Sequence, residues 1–202
     1  MAGGVDALGF FRLGHVFVAN MTGNLVLLAV AVAGGHASQA SRSLWALLGF
    51  MVGAFLSSAL GPTRRLWWFV ALESLFLLLM GIFFWDAVAR GGSAVLAAIF
   101  VDSFAMGVQS RLARHINLGG ATTTVVTGTL TQIMDDIMHF LREQRAEEWN
   151  VRLAVFLPYA VGAALAAFGR QRPLVVMAAA SLVALTLFVW TVRTGRDVHS
   201  AQ

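Results

Sequence analysis

Apolar residues run through this chain in long blocks: Val16 to Gly34, Leu44 to Leu60, Leu66 to Trp85, Ala94 to Val108, Leu153 to Phe168 and Leu174 to Val192. Most approach the ~20 residues that a helix needs to cross a hydrocarbon core of ~30 Å. Backbone amides in lipid must be paired within the segment, so the blocks predict bundled transmembrane helices. Arginines gather at the block ends, where membrane proteins carry the charges that set their orientation.

The polar positions inside the blocks repeat. Val5-Asp6-Ala7 leads to Asn20-Met21-Thr22-Gly23-Asn24-Leu25, and Val101-Asp102-Ser103-Phe104 leads to Thr124-Val125-Val126-Thr127-Gly128-Thr129-Leu130. Further on, Gly49-Phe50-Met51-Val52-Gly53 aligns with Pro158-Tyr159-Ala160-Val161-Gly162, each run carrying small residues at four-residue spacing that let helices approach closely in lipid. Basic turns follow, Gly61-Pro62-Thr63-Arg64-Arg65 and Gly169-Arg170-Gln171-Arg172-Pro173, and then another apolar helix. The order is the same in both halves: Asp helix, Thr-Gly element, small-residue helix, apolar helix. The prediction is an all-α integral membrane protein forming one membrane domain over 1–202, with six to eight transmembrane segments in two pseudo-symmetric repeats, 1–89 and 90–202. The first Asp helix is short, because only five residues precede Asp6; either the start of the helix is missing or it is a genuine half-span.

The Thr-Gly elements change character. His15 to Asn20 and Thr122 to Val126 are rich in β-branched residues, and a helical pattern follows each. Each reads as a short extended stretch feeding a helix N-terminus at membrane depth, a broken or half helix with Asn20, Thr22, Asn24, Thr127 and Thr129 as capping residues and Gly23 and Gly128 allowing a close turn. Broken backbone in a membrane must be buried in protein or line a polar cavity, and two facing helix N-termini would present positive dipole ends to a polar or anionic ligand. The alternative is that these residues only cap tightly packed helices. Gln132, Asp135, Asp136, His139 and Glu143 are predicted on one face of the second helix, with Leu130, Ile133, Met134, Ile137, Met138 and Leu141 on the other. His139 and Glu143 read as the part that emerges from the membrane.

Embedded carboxylates are the main chemical signal. An ionised Asp at mid-bilayer costs about 3 kcal/mol on insertion scales, so Asp102 must be paired, protonated or hydrated; Gln109, Arg111 and Arg114 are its candidate partners. Asp6 draws interest through the repeat, Asp135 through the polar face, and Glu73 lies two turns from Arg65.

Composition agrees with the pattern. Hydrophobic residues make up 58% and charged residues 12% of 202 residues, against about a quarter charged in soluble domains. All 14 basic residues are Arg, which reads as nucleotide bias of the source. Cysteine is absent, which excludes disulfides and thiolate metal sites. The net charge of +4 has no aromatic-interleaved Arg cluster that would track a nucleic acid. No serine elbow, Walker loop or dinucleotide fingerprint is present, and the five histidines have no metal-ligand spacing, so neither a cofactor nor a metal is expected. Asp135-Asp136 beside His139 is the weak residue of an enzyme reading, an intramembrane metal-dependent hydrolase.

The strings Val5-Asp6-Ala7-Leu8-Gly9-Phe10, Val16 to Asn24, Phe104-Ala105-Met106-Gly107-Val108-Gln109 and Thr124 to Thr131 resemble the YoaK-like family of bacterial inner-membrane proteins, a domain of unknown function. The resemblance covers essentially the whole chain and implies a multi-pass protein of the bacterial inner (plasma) membrane, with no settled activity to carry over. If each Asp helix and its Thr-Gly element are two crossings, the arginines divide seven to seven and give no orientation. If the pair crosses once, Arg64, Arg65, Arg142, Arg145, Arg152, Arg193 and Arg196 share one face and Arg42, Arg90, Arg170 and Arg172 the other, which places the C-terminus in the cytoplasm and makes the halves inverted.

These features point to a small secondary transporter or channel-like carrier for a small polar or anionic solute, with a proton as the candidate coupling ion. Asn20, Thr22, Gly23, Asn24, Thr127, Gly128, Thr129 and Gln132 are the expected substrate-binding residues, and Asp102, Asp6 and Asp135 the expected coupling acids. The competing expectation is a membrane scaffold or sensor whose polar motifs serve packing. The bilayer and a small molecule or ion are the expected partners, and the small-residue faces are compatible with a homodimer.

Overall fold

The computed structural model describes residues 2–59, 91–116, 126–141 and 149–169. Within them the chain forms six helices and no strand: α1 (Ala2–Arg12), α2 (Met21–Ala33), α3 (Ala37–Ala59), α4 (Ser93–Ile116), α5 (Val126–Leu141) and α6 (Trp149–Phe168). The apolar blocks at 66–85 and 174–192, Glu73, the basic turns at 61–65 and 170–173, the stretch 122–125, and Glu143 with the charged run 142–148 lie outside the described residues. Among those described, α3 and the first 19 residues of α4, Ser93–Arg111, are long and apolar enough to cross a membrane. Their outer faces are apolar, with Phe55 71% exposed on α3 and Val101 43% exposed on α4, as expected of helices whose surroundings are lipid rather than water.

The chain between α1 and α3 makes a hairpin that folds back along α1. It reverses at Gly14 and His15, both at positive φ, and residues 16–20 run back along α1, with Val16 against Gly9 and the amides of Val18, Ala19 and Asn20 at Asp6. Asn20 then caps α2, accepting from the Gly23 amide at 3.0 Å, and α2 turns back alongside the extended stretch, as the two-way bonding between Asn24 and Phe17 shows. The hairpin starts and finishes at one end of α3: Gln39 donates to the His15 carbonyl at 2.7 Å, Arg42 to that of Gly14, and only residues 34–36 separate α2 from α3. Thirteen helical residues rise ~20 Å, short of the ~30 Å of a hydrocarbon core.

Glycines fix the second feature. A Cβ at Gly49 or Gly53 would collide with the carbonyl oxygen of Phe100 or Phe104, and one at Gly107 with that of Phe50, so α3 and α4 touch backbone to backbone. The paired positions advance together along both helices, and the two therefore run parallel. Trp45 and Phe100 close one end of the seam edge to face at 5.7 Å, and Arg111 donates to Ser58 at 2.8 Å near the other. On the far side of the core, Gly3 and Gly4 admit the backbone of α6 at Tyr159 and Gly162. Thus α1 packs on α6 and α4 on α3, while α2 sits on α3 and α5 on α6. Val5, Leu8, Val16 and Val18 meet Ile99 and Met106 in one shared core.

Candidate functional site

Asp6 is the centre of the first motif. Its Oδ1 accepts from Val18 at 2.9 Å, Ala19 at 2.7 Å and Asn20 at 3.2 Å, and its Oδ2 accepts from the Tyr159 hydroxyl at 3.0 Å. The extended stretch exposes amides that no helix pairs, and a buried carboxylate gathers three of them while four donors offset its own burial. Asp6, expected as a coupling acid, thus holds the hairpin apex to α1 and α1 to α6. Tyr159 is the member of this cluster that sequence reading missed. The available signal was a lone tyrosine in an apolar helix, whose hydroxyl needs a partner when it is buried.

Asn20 and Asn24 are likewise engaged with backbone. Asn24 is fully buried; its Oδ1 accepts from the Phe17 amide at 2.9 Å and its Nδ2 donates to the Phe17 carbonyl at 2.5 Å, mimicking a strand partner for one residue. Gly23 leaves room for the Phe17 ring, which a Cβ would meet at 2.8 Å. Of the polar residues in this string, Thr22 alone is exposed. Leucine at Asn24 is expected to lower stability by about 2–4 kcal/mol, because it orphans one donor and one acceptor of Phe17. The drop in unfolding midpoint of detergent-solubilised protein checks this, and a midpoint equal to that of the native protein would show the bracket to be unimportant.

Asp102 differs in kind. It is 1% exposed on the buried stripe of α4, one turn from Ala98 and from Met106, and its Oδ2 has no hydrogen-bond partner among the described residues. The hydroxyls of Ser103 and Ser43 are also buried and have no partner among the described residues. Arg111, expected as a partner for Asp102, donates instead to Ser58.

The helix of the second motif is divided differently from the expected two faces. Thr129, Ile133 and Asp136 are buried, whereas Asp135 and His139 are exposed together with Leu130, Met134, Ile137 and Met138. One narrow stripe of α5 meets the bundle, and adjacent residues stand ~100° apart, so Asp136 turns inward and Asp135 outward. Gln132 is partly buried with its Oε1 unpartnered among the described residues, and Gly128 is exposed. The side chain of Thr127 lies outside what is described. No three His, Cys, Asp or Glu side chains gather in a metal-binding group among the described residues.

A family model described as a protein of unknown function, DUF1275, matches residues 1–192. The chain belongs to the DUF1275 family. It is also similar to the UPF0700 transmembrane protein YoaK of Bacillus subtilis (strain 168), 33% identical over 178 residues that cover 82% of this chain and 78% of that protein. No solved structure matches. Together with helices able to span a bilayer, this makes the chain a membrane protein of an uncharacterised family, whose polar residues have to be explained by a lipid-embedded bundle.

Proposed function

We propose that this protein is a small carrier for a polar or anionic solute, coupled to protons through Asp102. The observation that carries the reading is the fully buried Oδ2 of Asp102, which has no partner among the described residues, since a carboxylate kept inside a membrane bundle and not used for structure marks a pathway or a relay. The hairpin supports it: read as re-entrant, it sets the α2 N-terminus inside the membrane, a common way to meet an anion. The exchange of partners, α1 on α6 and α4 on α3, supports two interlocked halves, and a hairpin that returns to its own side supports the single-crossing arrangement with its seven-to-four arginine bias. In this reading Asn20, Gly23, Asn24 and Asp6 build the apex, while Thr22, Gln132 and Asp102 are the groups left to meet a solute or ion.

Asp102→Asn is the test. It is expected to reduce solute flux in proteoliposomes at least tenfold (about 1.4 kcal/mol per factor of ten) while leaving the unfolding midpoint unchanged or higher, because it removes a buried acid that no described residue pairs. If a panel of small anions and polar solutes showed no flux under any ion gradient, and cells carrying the variant behaved as normal, the carrier reading would be dropped. One observation favours a scaffold instead: the polar groups of the first motif are bonded to backbone. That reading has no flux in either protein and a loss of stability as the sole effect of changes in the motif.

A further inference from the structure

The surface of α3 changes character at one level. Ser38, Gln39, Ser41 and Arg42 come first, and the exposed large side chains that follow are apolar, from Leu44, Trp45 and Leu48 to Phe55. Trp45, 41% exposed, stands one turn (~5 Å) beyond Arg42, and such aromatic side chains mark the boundary between headgroups and hydrocarbon. The pattern sets Arg42 at the headgroup level. The base of the hairpin lies beside it and is basic. Arg12 ends α1, His15 occupies the turn, His36 precedes α3, and Arg42 reaches across to the Gly14 carbonyl at 3.4 Å. No Asp or Glu occurs between Asp6 and Glu73, and no carboxylate pairs with Arg42 among the described residues. The bond to Gly14 uses one N–H of a guanidinium that has five. His15 carries a second signal. Its backbone is left-handed, at φ 60°, which a residue other than glycine keeps only where its surroundings fix it. They do: Gln39 donates to its carbonyl at 2.7 Å, and Phe10 packs edge to face on its ring at 4.8 Å, while the side chain stays exposed. His36, Gln39 and Arg42 recur at three-residue spacing where α3 begins, and so stand near one face.

We propose that the base of the hairpin is a headgroup site for an anionic phospholipid, with Arg42, His15 and His36 around the phosphate and the acyl chains on the apolar surface next to it. Charge complementarity carries the choice of an anion, because basic groups gather there with no acid in the surrounding stretch of chain. The exposed apolar side chains beside them, Leu44 and Leu48 on α3 and Val30 and Val32 on α2, carry the choice of a lipid over a soluble anion. A guanidinium pairs with two phosphate oxygens at once, which the single carbonyl of Gly14 does not satisfy. The inference stands apart from the carrier reading: Asp102 lies past the Gly49–Phe100 contact, farther along the seam than Arg42.

Native mass spectrometry of the full chain in detergent, loaded in turn with phosphatidylglycerol and with phosphatidylcholine of the same acyl chains, reads the site. The native protein is expected to hold one phosphatidylglycerol about tenfold more tightly than phosphatidylcholine. Arg42→Gln offers the Gly14 carbonyl a neutral donor and removes the charge, and it should abolish most of that preference. Arg111→Gln removes the same charge at the other end of the α3–α4 seam and should leave the preference as it is. Should Arg42→Gln fail to fold, judged by elution and melting, the pair His15→Gln and His36→Gln leaves Arg42 in place and should weaken the preference severalfold. Equal retention of the two lipids, a preference that survives in the folded Arg42→Gln or histidine variants, or an equal loss in Arg111→Gln would overturn the inference. Displacement of phosphatidylglycerol by inorganic phosphate would overturn it as well, by assigning the basic groups to a soluble anion.

Discussion

Asp6→Ala is expected to cause the largest loss of stability of any single change in the first motif. The aspartate accepts from three amides of residues 18–20 and from the Tyr159 hydroxyl, and alanine leaves all four donors without their acceptor. At 1–3 kcal/mol for each buried donor left unpaired, the loss is about 3 kcal/mol or more even if one or two find substitutes. Thermal unfolding in detergent, followed by intrinsic tryptophan fluorescence, should show a large fall in midpoint. Asp6→Asn should fall between the two, since its amide oxygen can still accept from the backbone but its nitrogen cannot accept from Tyr159. A native-like midpoint for the alanine variant would mean that water or lipid headgroups reach the apex, and the hairpin would have to be abandoned.

Gly53→Val is the second. The residue lies on the α3–α4 seam, where a Cβ would run into the backbone carbonyl of Phe104 and then its carbonyl carbon at 2.8 Å. A flexible side chain could move aside, but a helix backbone can only shift as a unit, separating Gly49 from Phe100 and Gly107 from Phe50 as well. Overpacking of a close-packed interior typically costs 1–3 kcal/mol, and a clash with backbone on a seam of three glycines belongs at or above the top of that range. The variant should express poorly or elute as aggregate, and Gly53→Ala should show the same defect in milder form. By contrast, Phe55→Ala on the exposed face of α3 should melt within a few degrees of the native protein. Equal behaviour of Gly53→Val and Phe55→Ala would show that α3 and α4 do not touch.

Much of the architecture was open to inspection in the sequence because membrane burial writes a strong, one-dimensional signal. Blocks of apolar residues near bilayer length marked the helices, and glycines at four-residue spacing marked the seams that now hold Phe100, Phe104 and Gly162 against their neighbours. Asn20 as a helix cap was equally legible, since a short amide side chain before a helical run has few other uses. The division of α5 was not. Asp135 and Asp136 are adjacent, and a helical pattern with two neighbouring acids does not say which of them faces the bundle. Nor was the role of Asp6, because its partners lie 12 to 14 residues away in the loop before α2 and 153 residues away on α6.

The sequence by itself determined the solvent, the helices, the glycine seams and the embedded acids Asp6 and Asp102, because each follows from residue type and local spacing. Tertiary structure decided what the acids do. Whether a carboxylate is a fixed brace or an available group depends on how many donors reach it, and those donors come from chain segments that only folding brings together: four for Asp6, and none at Asp102 Oδ2 among the described residues.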